Sequence, residues 1–550
     1  MATASYTASS TTWDEASGRA LSLPWTRAKV LVVAMVVALA CLFRLSALST
    51  YGFSDDELNK LHAIEQYRAG VFVANAEHPL LMKLTMWGSV AAAEQWNRIA
   101  STDLLIPLEA ALRFPNAIAG ALTALVLFGV ADLLFGTGVA MVASLIWAFD
   151  VNATAINRIG KEDSFLLLFF LLAVFCYERA KRIGAMDVAK AQPWYTLSGA
   201  AFGLMLASKY MPHFIGIYAL FNVAADSNPG FNKPNRIRHF AAMGAAFLAA
   251  NPMILMPATW RYLATYVSGD MLAHHGYLYS GALYVTDVPV SPLGVPMTFY
   301  LRLLATKVPL VVLGALVPGV IEMVRRRRER GFVFLRVLAV FLIVPYSLMA
   351  PKFLRYSLPM LATVDLIAAV GWVHALGWLL RKQWLRPLTR TAVAIAAVAV
   401  FGIGLVVAEQ TAAPFYSMFQ NSLGARFDRT RSAFPEQTYD YGLRESMAAT
   451  AAAASPSAVV FSDATSVAAY YLRQYGRPDI VVRSLSSKGL TPGTREAWVA
   501  VQDEHLTFEN RLVVQQLRAT STPWKQFRID GAIATQLFRI AGGHECCANW

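Results

Sequence analysis

Long apolar segments recur from residue 30 to residue 408, and they restrict the possible folds of this chain more than any other feature. Of the 550 residues, 56% are hydrophobic and only 15% are charged, whereas soluble domains have roughly 25% charged residues. A helix that crosses a bilayer needs roughly 17 to 25 apolar residues, so the sequence predicts an all-α, multi-pass membrane protein with about 11 transmembrane helices. The predicted segments are 30–48, 114–135, 139–155, 164–177, 194–207, 211–225, 240–257, 299–324, 332–350, 356–380 and 391–408.

Basic residues occupy every second connection between these segments. With residues 1–29 as a cytoplasmic tail, this alternation agrees with the excess of lysine and arginine found in cytoplasmic loops. The same pattern explains the formal net charge of +13 without a nucleic-acid partner, and we expect none. The basic residues of the predicted cytoplasmic connections are Arg179, Lys181, Arg182, Lys233, Arg236, Arg238, the run 325–328, Arg381, Lys382, Arg386 and Arg390.

The apolar stretch 79–96 is interpreted as an interfacial helix rather than as a further span. Counting it as a span would turn the basic run 325–328 outward, and Lys83 and Glu94 interrupt its apolar character. The first outer loop therefore covers residues 49–113, within a transmembrane module of residues 30–408.

After residue 408 the composition becomes that of a soluble domain. Strand-like segments at 458–462 and 479–483 flank a helix-like segment at 465–475, which predicts a β-α-β unit. Further strands are predicted at 497–502 and 534–540, with a helix near 508–517. We therefore expect residues 409–550 to form an extracytoplasmic α/β domain, and its lack of a glycine-rich phosphate loop argues against nucleotide binding.

The first outer loop begins with three consecutive acids, Asp55, Asp56 and Glu57. An acceptor hydroxyl attacks poorly until a base takes its proton, and a positioned carboxylate can do so. Adjacent like charges also raise the pKa of at least one member of such a group. The alternative is structural, because Ser54 followed by acids is a good start for a helix.

Cationic residues collect in the same outward connections. They could pair with a lipid phosphate at the interface, and arginine in particular suits bidentate phosphate contact. For each of them singly, the alternative is that the side chain extends to the lipid headgroups. These cations are Lys83, Arg113, Arg158, Lys161, Lys209, Lys352 and Arg355.

In their order along residues 30–408, these motifs resemble the GT-C membrane glycosyltransferases, in particular the protein O-mannosyltransferase and aminoarabinose transferase group. Residues 78–83, His-Pro-Leu-Leu-Met-Lys, are similar to the family's His-Pro-Pro-Leu-Gly-Lys, with departures at Leu80 and Met82. The segments around His275 and at 296–309, together with 414–424, resemble a bacterial branch with an additional carboxy-terminal domain. The other motifs are Asp56-Glu57, Arg113-Phe-Pro, the segment 158–164, Ser208-Lys-Tyr210 and residues 352–359.

The resemblance implies roles for individual residues. Asp56 matches the catalytic base, while Glu57 and Asp163 match acids that orient the acceptor, the sugar or an occasional divalent metal, which would lie at Asp56 and Asp163. No other cofactor is implied. The residues expected to contact substrate are Asp55, His78, Lys83, Arg113, Arg158, Lys209, His275, Lys352, Arg355 and Tyr356.

The resemblance also implies partners and a location. The donor would be a polyprenyl-phosphate-linked monosaccharide, and the acceptor a protein, lipid or glycan hydroxyl on the outer face of a bacterial plasma membrane. Membrane lipids would surround the helices. Two alternatives remain at this point: a secondary transporter, which should carry its ionisable residues near mid-membrane, and a membrane-anchored binding or assembly protein that acts through residues 409–550.

Overall fold

The computed structural model describes residues 13–14, 19–20, 26–225, 228, 230–268, 276–285, 294–381, 386–427, 433–485 and 495–540. The helices are α1 (Arg27–Leu45), α2 (Asp55–Arg68), α3 (Leu81–Asn97), α4 (Leu108–Phe135), α5 (Thr137–Ala148), α6 (Val151–Asn157), α7 (Asp163–Gly184), α8 (Val188–Ser208), α9 (His213–Ala225), α10 (Lys233–Ala250), α11 (Pro257–Ser268), α12 (Phe299–Lys307), α13 (Leu310–Arg325), α14 (Arg330–Leu348), α15 (Leu358–Leu380), α16 (Pro387–Ala412), α17 (Ser422–Phe427), α18 (Leu443–Ala453), α19 (Thr465–Gln474) and α20 (Arg511–Thr520). The strands are β1 (Trp13–Asp14), β2 (Arg19–Ala20), β3 (Tyr277–Tyr279), β4 (Ala282–Tyr284), β5 (Val459–Phe461), β6 (Val481–Arg483), β7 (Ala497–Val501), β8 (Lys525–Ile529) and β9 (Ala532–Ile540).

Helices dominate the part of the chain up to residue 412. Within the described residues, five helices are long and apolar enough to cross a membrane: α1, α4, α14, α15 and α16. The number rises to seven if each of two bent helix pairs forms one span, and α9 contributes a shorter apolar stretch. The chain is thus an integral membrane protein, and the number of about 11 spans stays a prediction.

Two segments that the sequence presents as continuous spans are bent. The first breaks between α5 and α6, which differ in direction by 60°, where Asp150 caps α6 by accepting the N–H groups of Asn152 and Ala153. The second breaks between α12 and α13, which differ by 119° around Pro309. Proline cannot donate a backbone hydrogen bond, which ends α12 at Lys307. The predicted spans 139–155 and 299–324 are therefore each divided into two helices, and whether each pair forms one span stays a prediction.

The first outer loop contains two helices, α2 and α3. Ser54 and Glu57 start α2 together, because the Ser54 N–H donates to the Glu57 carboxylate at 3.1 Å. This closes one half of a capping box. Helix α3 occupies residues 81–97, close to the predicted interfacial helix 79–96. The loop ends earlier than predicted, since α4 begins at Leu108 and already includes Arg113.

The carboxy-terminal residues form a five-stranded sheet in the order β6-β5-β7-β9-β8. Strand β5 is parallel to β6 and β7, and α19 connects β5 to β6, which is the expected β-α-β unit. Strands β9 and β8 extend the sheet in antiparallel fashion, and β8 was not predicted.

This sheet packs directly on the first outer loop. One buried apolar cluster includes Leu58 of α2, Met86 of α3 and Val460 of β5. Polar contacts reinforce the packing: Arg444 donates to the carbonyls of Ser49 and Thr50 at 3.0 and 2.7 Å. The backbone that leads into the acid triplet is therefore held from the carboxy-terminal side.

Candidate active site

Asp56 is the acid of the triplet that contacts two cations while its side chain stays partly exposed to solvent. Its Oδ2 atom contacts the Lys161 ammonium and lies 3.7 Å from Nη1 of Arg355. The Asp56 side chain is 45% exposed, whereas those of Lys161 and Arg355 are 3% and 16% exposed. An accessible carboxylate between two mostly buried cations can reach a ligand and still be held in place.

The environment of Asp56 determines its basicity. Desolvation by the surrounding protein raises the pKa of Asp56, but the charge of Lys161, followed by that of Arg355, outweighs it and holds this pKa far below the usual range. Its neighbour behaves oppositely. Desolvation, followed by the charges of Asp440 and Asp56, raises the pKa of Asp55 to about 6. The two adjacent acids are therefore clearly distinct electrostatically.

Glu57 lies in a buried ion pair rather than in the accessible cleft. Its two carboxylate oxygens accept from Nε and Nη2 of Arg113, both at 2.7 Å, and Oε1 also accepts the Gly160 N–H at 3.0 Å. The remaining Arg113 donors bind the carbonyls of Leu48, Tyr51 and Gly52. Because an arginine has five N–H donors, these contacts use all of them in this structure, and a contact of Arg113 with substrate stays a prediction.

Asp163 begins α7 and pairs with Lys209. The Lys209 ammonium lies 2.7 Å from Oδ1 of Asp163 and 4.8 Å from the centre of the Tyr356 ring. Asp163 is buried, and its Oδ2 atom has no hydrogen-bond partner within the described structure. This oxygen is therefore available to a donor from outside the chain.

His78 and Lys83 both border a polar network that includes Glu162 and Lys60. Nδ1 of His78 is 3.7 Å from Oε1 of Glu162, and the same oxygen is 2.8 Å from the Lys60 ammonium. Lys83 instead donates to the carbonyls of Asn75 and His78. Burial, followed by the charge of Lys60, lowers the pKa of Lys83 to about 7. The His78 side chain thus faces Glu162, whereas the Lys83 ammonium faces backbone carbonyls.

Arg158 and Lys352 bind backbone carbonyls. Arg158 donates to Phe43 and Ala47 at 3.2 and 2.9 Å, and its guanidinium lies 4.7 Å from the centre of the Tyr416 ring. Lys352 donates to Val295 at 2.7 Å, and burial lowers its pKa to about 8. The contacts of Arg158 connect the carboxy-terminal ends of α1 and α6.

Arg355 connects the site to the carboxy-terminal part of the chain. Its Nη1 atom donates to Oε1 of Glu436 at 3.3 Å, and Oε2 of Glu436 accepts from the Leu354 N–H at 2.9 Å and from the Tyr277 hydroxyl at 3.1 Å. Nothing in the local sequence identifies Glu436, because its partner lies 81 residues earlier.

Several network members were missed by the sequence reasoning or named without a role. Lys161 appeared only among the outward cations, yet it contacts the candidate base. The sequence could have indicated Lys60 as a member of the site, because it lies one helical turn after Asp56 on α2 and therefore on the same face. His275 lies outside the described residues. The structure thus brings together Asp56, His78, Asp163, Lys209, Arg355 and Tyr356, with Lys60, Lys161, Glu162 and Glu436 added.

Asp56 and Asp163, the residues expected to hold a divalent metal, both have protein cations beside them. Each of the two carboxylates already faces an ammonium group, of Lys161 and of Lys209 respectively. Within the described ranges, three metal-ligating side chains converge only at Asp440, Glu504 and His505. In the described structure the positive charge beside these two acids comes from Lys161, Lys209 and Arg355.

A family model agrees with part of this chain. Residues 94–256 match the family described as dolichyl-phosphate-mannose-protein mannosyltransferase. The Bacillus subtilis protein YycA, whose name records a proposed mannosyltransferase activity, is 30% identical over 108 residues. This alignment covers 19% of the chain and only 16% of YycA.

One solved structure shares the fold over nearly the whole chain, and two others are similar with lower scores. ArnT from Cupriavidus metallidurans in the apo state matches with a TM-score of 0.50 at 15% identity, covering 93% of this chain and 98% of ArnT. The same protein bound to undecaprenyl phosphate matches with a TM-score of 0.47 at 15% identity, covering 92% and 97%. The Archaeoglobus fulgidus oligosaccharyltransferase tethered with an acceptor peptide matches with a TM-score of 0.49 at 10% identity, covering 83% and 64%.

Proposed function

We propose that this chain, a membrane glycosyltransferase of the GT-C fold, moves a monosaccharide from a polyprenyl phosphate to an acceptor hydroxyl on the outer face of the membrane. The observation that carries the proposal is the position of Asp56, accessible and held between Lys161 and Arg355. The fold alone would be compatible with many acceptors. The description of the matched family, which names a dolichyl-phosphate sugar, favours a lipid phosphate as donor.

The donor phosphate would bind where the cations gather. Arg355 and Lys209 both lie near Tyr356, with the two cations 5.5 and 4.8 Å from the centre of its ring. Arginine offers a planar pair of donors and lysine a point charge, and both stabilise a phosphate oxygen. We assign donor binding to Arg355, Lys209 and Tyr356, with His78 beside them.

Binding of the donor would also activate the base. A carboxylate with a strongly lowered pKa is a weak base, and Asp56 in the free protein is in that condition. A phosphate that takes up the charge of Lys161 and Arg355 would raise the pKa of Asp56 where the acceptor arrives. The base would then be strong only when donor is present, which limits unproductive reaction.

The transfer forms one bond, breaks one bond and moves one proton. The acceptor oxygen attacks the anomeric carbon, the bond from that carbon to the phosphate oxygen breaks, and the acceptor proton passes to Asp56. The leaving polyprenyl phosphate gains negative charge, which Arg355 and Lys209 would stabilise more in the transition state than in the bound donor.

The remaining predicted site residues are assigned to positioning. Glu57 and Arg113 would fix the backbone of the acid triplet, and Asp163 would hold Lys209. Asp55, Lys83, Arg158 and Lys352 would keep the outer helix ends together. In this assignment the carboxy-terminal sheet lies outside the membrane with the site, and residues 1–29 lie in the cytoplasm of a bacterial cell.

Mass spectrometry of lipid extracts and envelope glycans tests the proposal. Cells without this protein should accumulate one polyprenyl-phosphate sugar and lose one glycosylated product, and wild-type protein should restore both. A strain that carries the Asp56→Asn protein should resemble the deletion. Unchanged donor pools and glycans in the deletion strain would argue for the transporter or assembly alternatives, in which no glycosidic bond is made.

A further inference from the structure

A second polar cluster lies next to the acid triplet, on the carboxy-terminal part of the chain. Asp440 precedes α18, while Glu504 and His505 belong to the short helical turn that follows β7. Nε2 of His505 is 2.6 Å from Oδ1 of Asp440, and Oε1 of Glu504 accepts the Asp440 N–H at 2.5 Å. Two chain segments that are distant in sequence thus converge on one point.

The ligand atoms of these three residues suit a single ion. One imidazole nitrogen and one oxygen from each carboxylate all lie within 4.8 Å of one another. Ligands that bind an ion at about 2.0 to 2.2 Å lie roughly 2.9 to 4.4 Å apart. The ion would therefore replace the 2.6 Å contact between His505 and Asp440, and small shifts of the side chains would bring all three ligand atoms into this range. Asp440 is buried, while Glu504 and His505 remain partly exposed and leave a path for entry.

A hydrogen bond outside the three side chains orients the buried ligand. The Asp55 N–H donates to Oδ2 of Asp440 at 3.0 Å, which leaves Oδ1 directed toward His505. Outer partners of this kind fix the geometry of metal ligands. The donor belongs to the residue directly before Asp56, so an ion held by Asp440 would also fix the start of α2.

We propose that Asp440, Glu504 and His505 bind one divalent cation of the class that accepts mixed nitrogen and oxygen ligands, such as Zn²⁺ or Mn²⁺. Imidazole favours these ions over Mg²⁺ and Ca²⁺, which prefer oxygen ligands alone. The ion fastens the carboxy-terminal sheet to the acid triplet through Asp55. This site is separate from the donor cleft, and the proposal does not depend on the sugar chemistry.

Metal titration of the purified full-length chain in detergent tests the proposal. The protein should have no polyhistidine tag and should carry Cys546→Ser and Cys547→Ser, because these thiols would bind Zn²⁺ themselves. After chelation, calorimetric titration with Zn²⁺ and with Mn²⁺ should give one equivalent per chain. The bound ion should raise the unfolding temperature, because it binds only the folded state.

Ligand variants and a matched control decide between a metal site and a plain ion pair. Asp440→Asn and His505→Gln should each weaken metal binding by more than the ~10 to 100-fold that loss of an outer partner costs. Asp503→Asn changes the adjacent acid, which pairs with Arg518, and should leave binding unchanged. Equal binding in wild type and His505→Gln would overturn the proposal. So would a wild type that binds no metal while His505→Gln lowers the unfolding temperature, since His505 would then act only as a counterion.

Discussion

Nη1 of Arg355 lies 3.7 Å from Oδ2 of Asp56 and 3.3 Å from Oε1 of Glu436. One guanidinium therefore joins the first outer loop, the end of the α14–α15 connection and the carboxy-terminal part of the chain. A phosphate that binds Arg355 would change the surroundings of both acids at once. The site is therefore built from segments about 380 residues apart.

Replacing the candidate base should abolish turnover while donor binding survives. Asp56→Asn keeps the shape of the side chain and removes the proton acceptor, so kcat should fall by roughly 10²-fold or more. Turnover would be measured with a purified donor and acceptor, and donor affinity by titration. If Asp55→Asn, and not Asp56→Asn, caused this loss, the base would be the neighbouring acid.

The pH dependence should report the cations around Asp56. The lowered pKa keeps this carboxylate ionised well below the ordinary aspartate range, so wild-type kcat/KM should hold to unusually low pH. Lys161→Met removes the main charge that lowers this pKa, so the acid limb should move up to or above about pH 4. Lys190→Met, at an exposed lysine, is the control. An acid limb that did not move would show that the charge of Lys161 does not set the pKa of Asp56.

Binding of the donor should move the acid limb of the pH–rate profile to higher pH. The acid limb of kcat/KM reports the free protein and that of kcat reports the complex. If donor phosphate takes up the charge of Lys161 and Arg355, the limb of kcat should lie at higher pH than that of kcat/KM. Rate profiles at saturating and at low donor would measure both. Coincident limbs would mean that the phosphate does not weaken the pairing of Asp56.

Features of the fold that depend on neighbouring residues in the chain could be predicted from the sequence, whereas features that depend on distant residues could not. Apolar segments and the β5-α19-β6 unit are local patterns, and most of them match elements of the structure. The resemblance to GT-C glycosyltransferases rested on motif order and is confirmed by the family match and the shared fold. The bend at Asp150 was missed because the residues around it are apolar and look like one span.

The partners of individual side chains were the least predictable part. Glu57 and Arg113 both matched family motifs, but only the three-dimensional structure shows that they form an ion pair with each other. Glu436 lies in a segment with no recognisable motif, and its contact with Arg355 depends on how the carboxy-terminal part packs. Charge patterns along a chain predict where a site lies, whereas the pairing inside it depends on tertiary contacts.

The buried pair formed by Glu57 and Arg113 should matter for stability. Removing one partner leaves an uncompensated buried charge, which costs about 3 to 5 kcal/mol. Glu57→Gln and Arg113→Met should therefore each lower the free energy of unfolding by about this amount, measured by denaturant titration in detergent. Arg68→Ala breaks an exposed pair with Glu94 and should cost less than about 1 kcal/mol. Equal effects at the two pairs would contradict the structural assignment.

The orientation of the chain in the membrane can be tested with two exposed positions. In a background without its four native cysteines, Asp103→Cys lies in the predicted outer loop and Arg327→Cys in the basic α13–α14 connection. An impermeant maleimide should label position 103 in intact cells and position 327 only after permeabilisation. Labelling of position 327 from outside would invert the predicted topology.

Phosphate recognition by Arg355 should be sensitive to the shape of the cation as well as to its charge. Arg355→Ala leaves a partly desolvated phosphate without its partner, so affinity for a short-chain polyprenyl phosphate should fall by about 1.5 to 3 kcal/mol. Arg355→Lys should restore only part of this loss, because a point charge cannot replace the planar pair of donors. Glu436→Gln is the matched control, since it removes the other partner of Arg355 and keeps the cation. If Arg355 only joins the outer loop to the carboxy-terminal part, all three variants will lose stability and none will lose affinity.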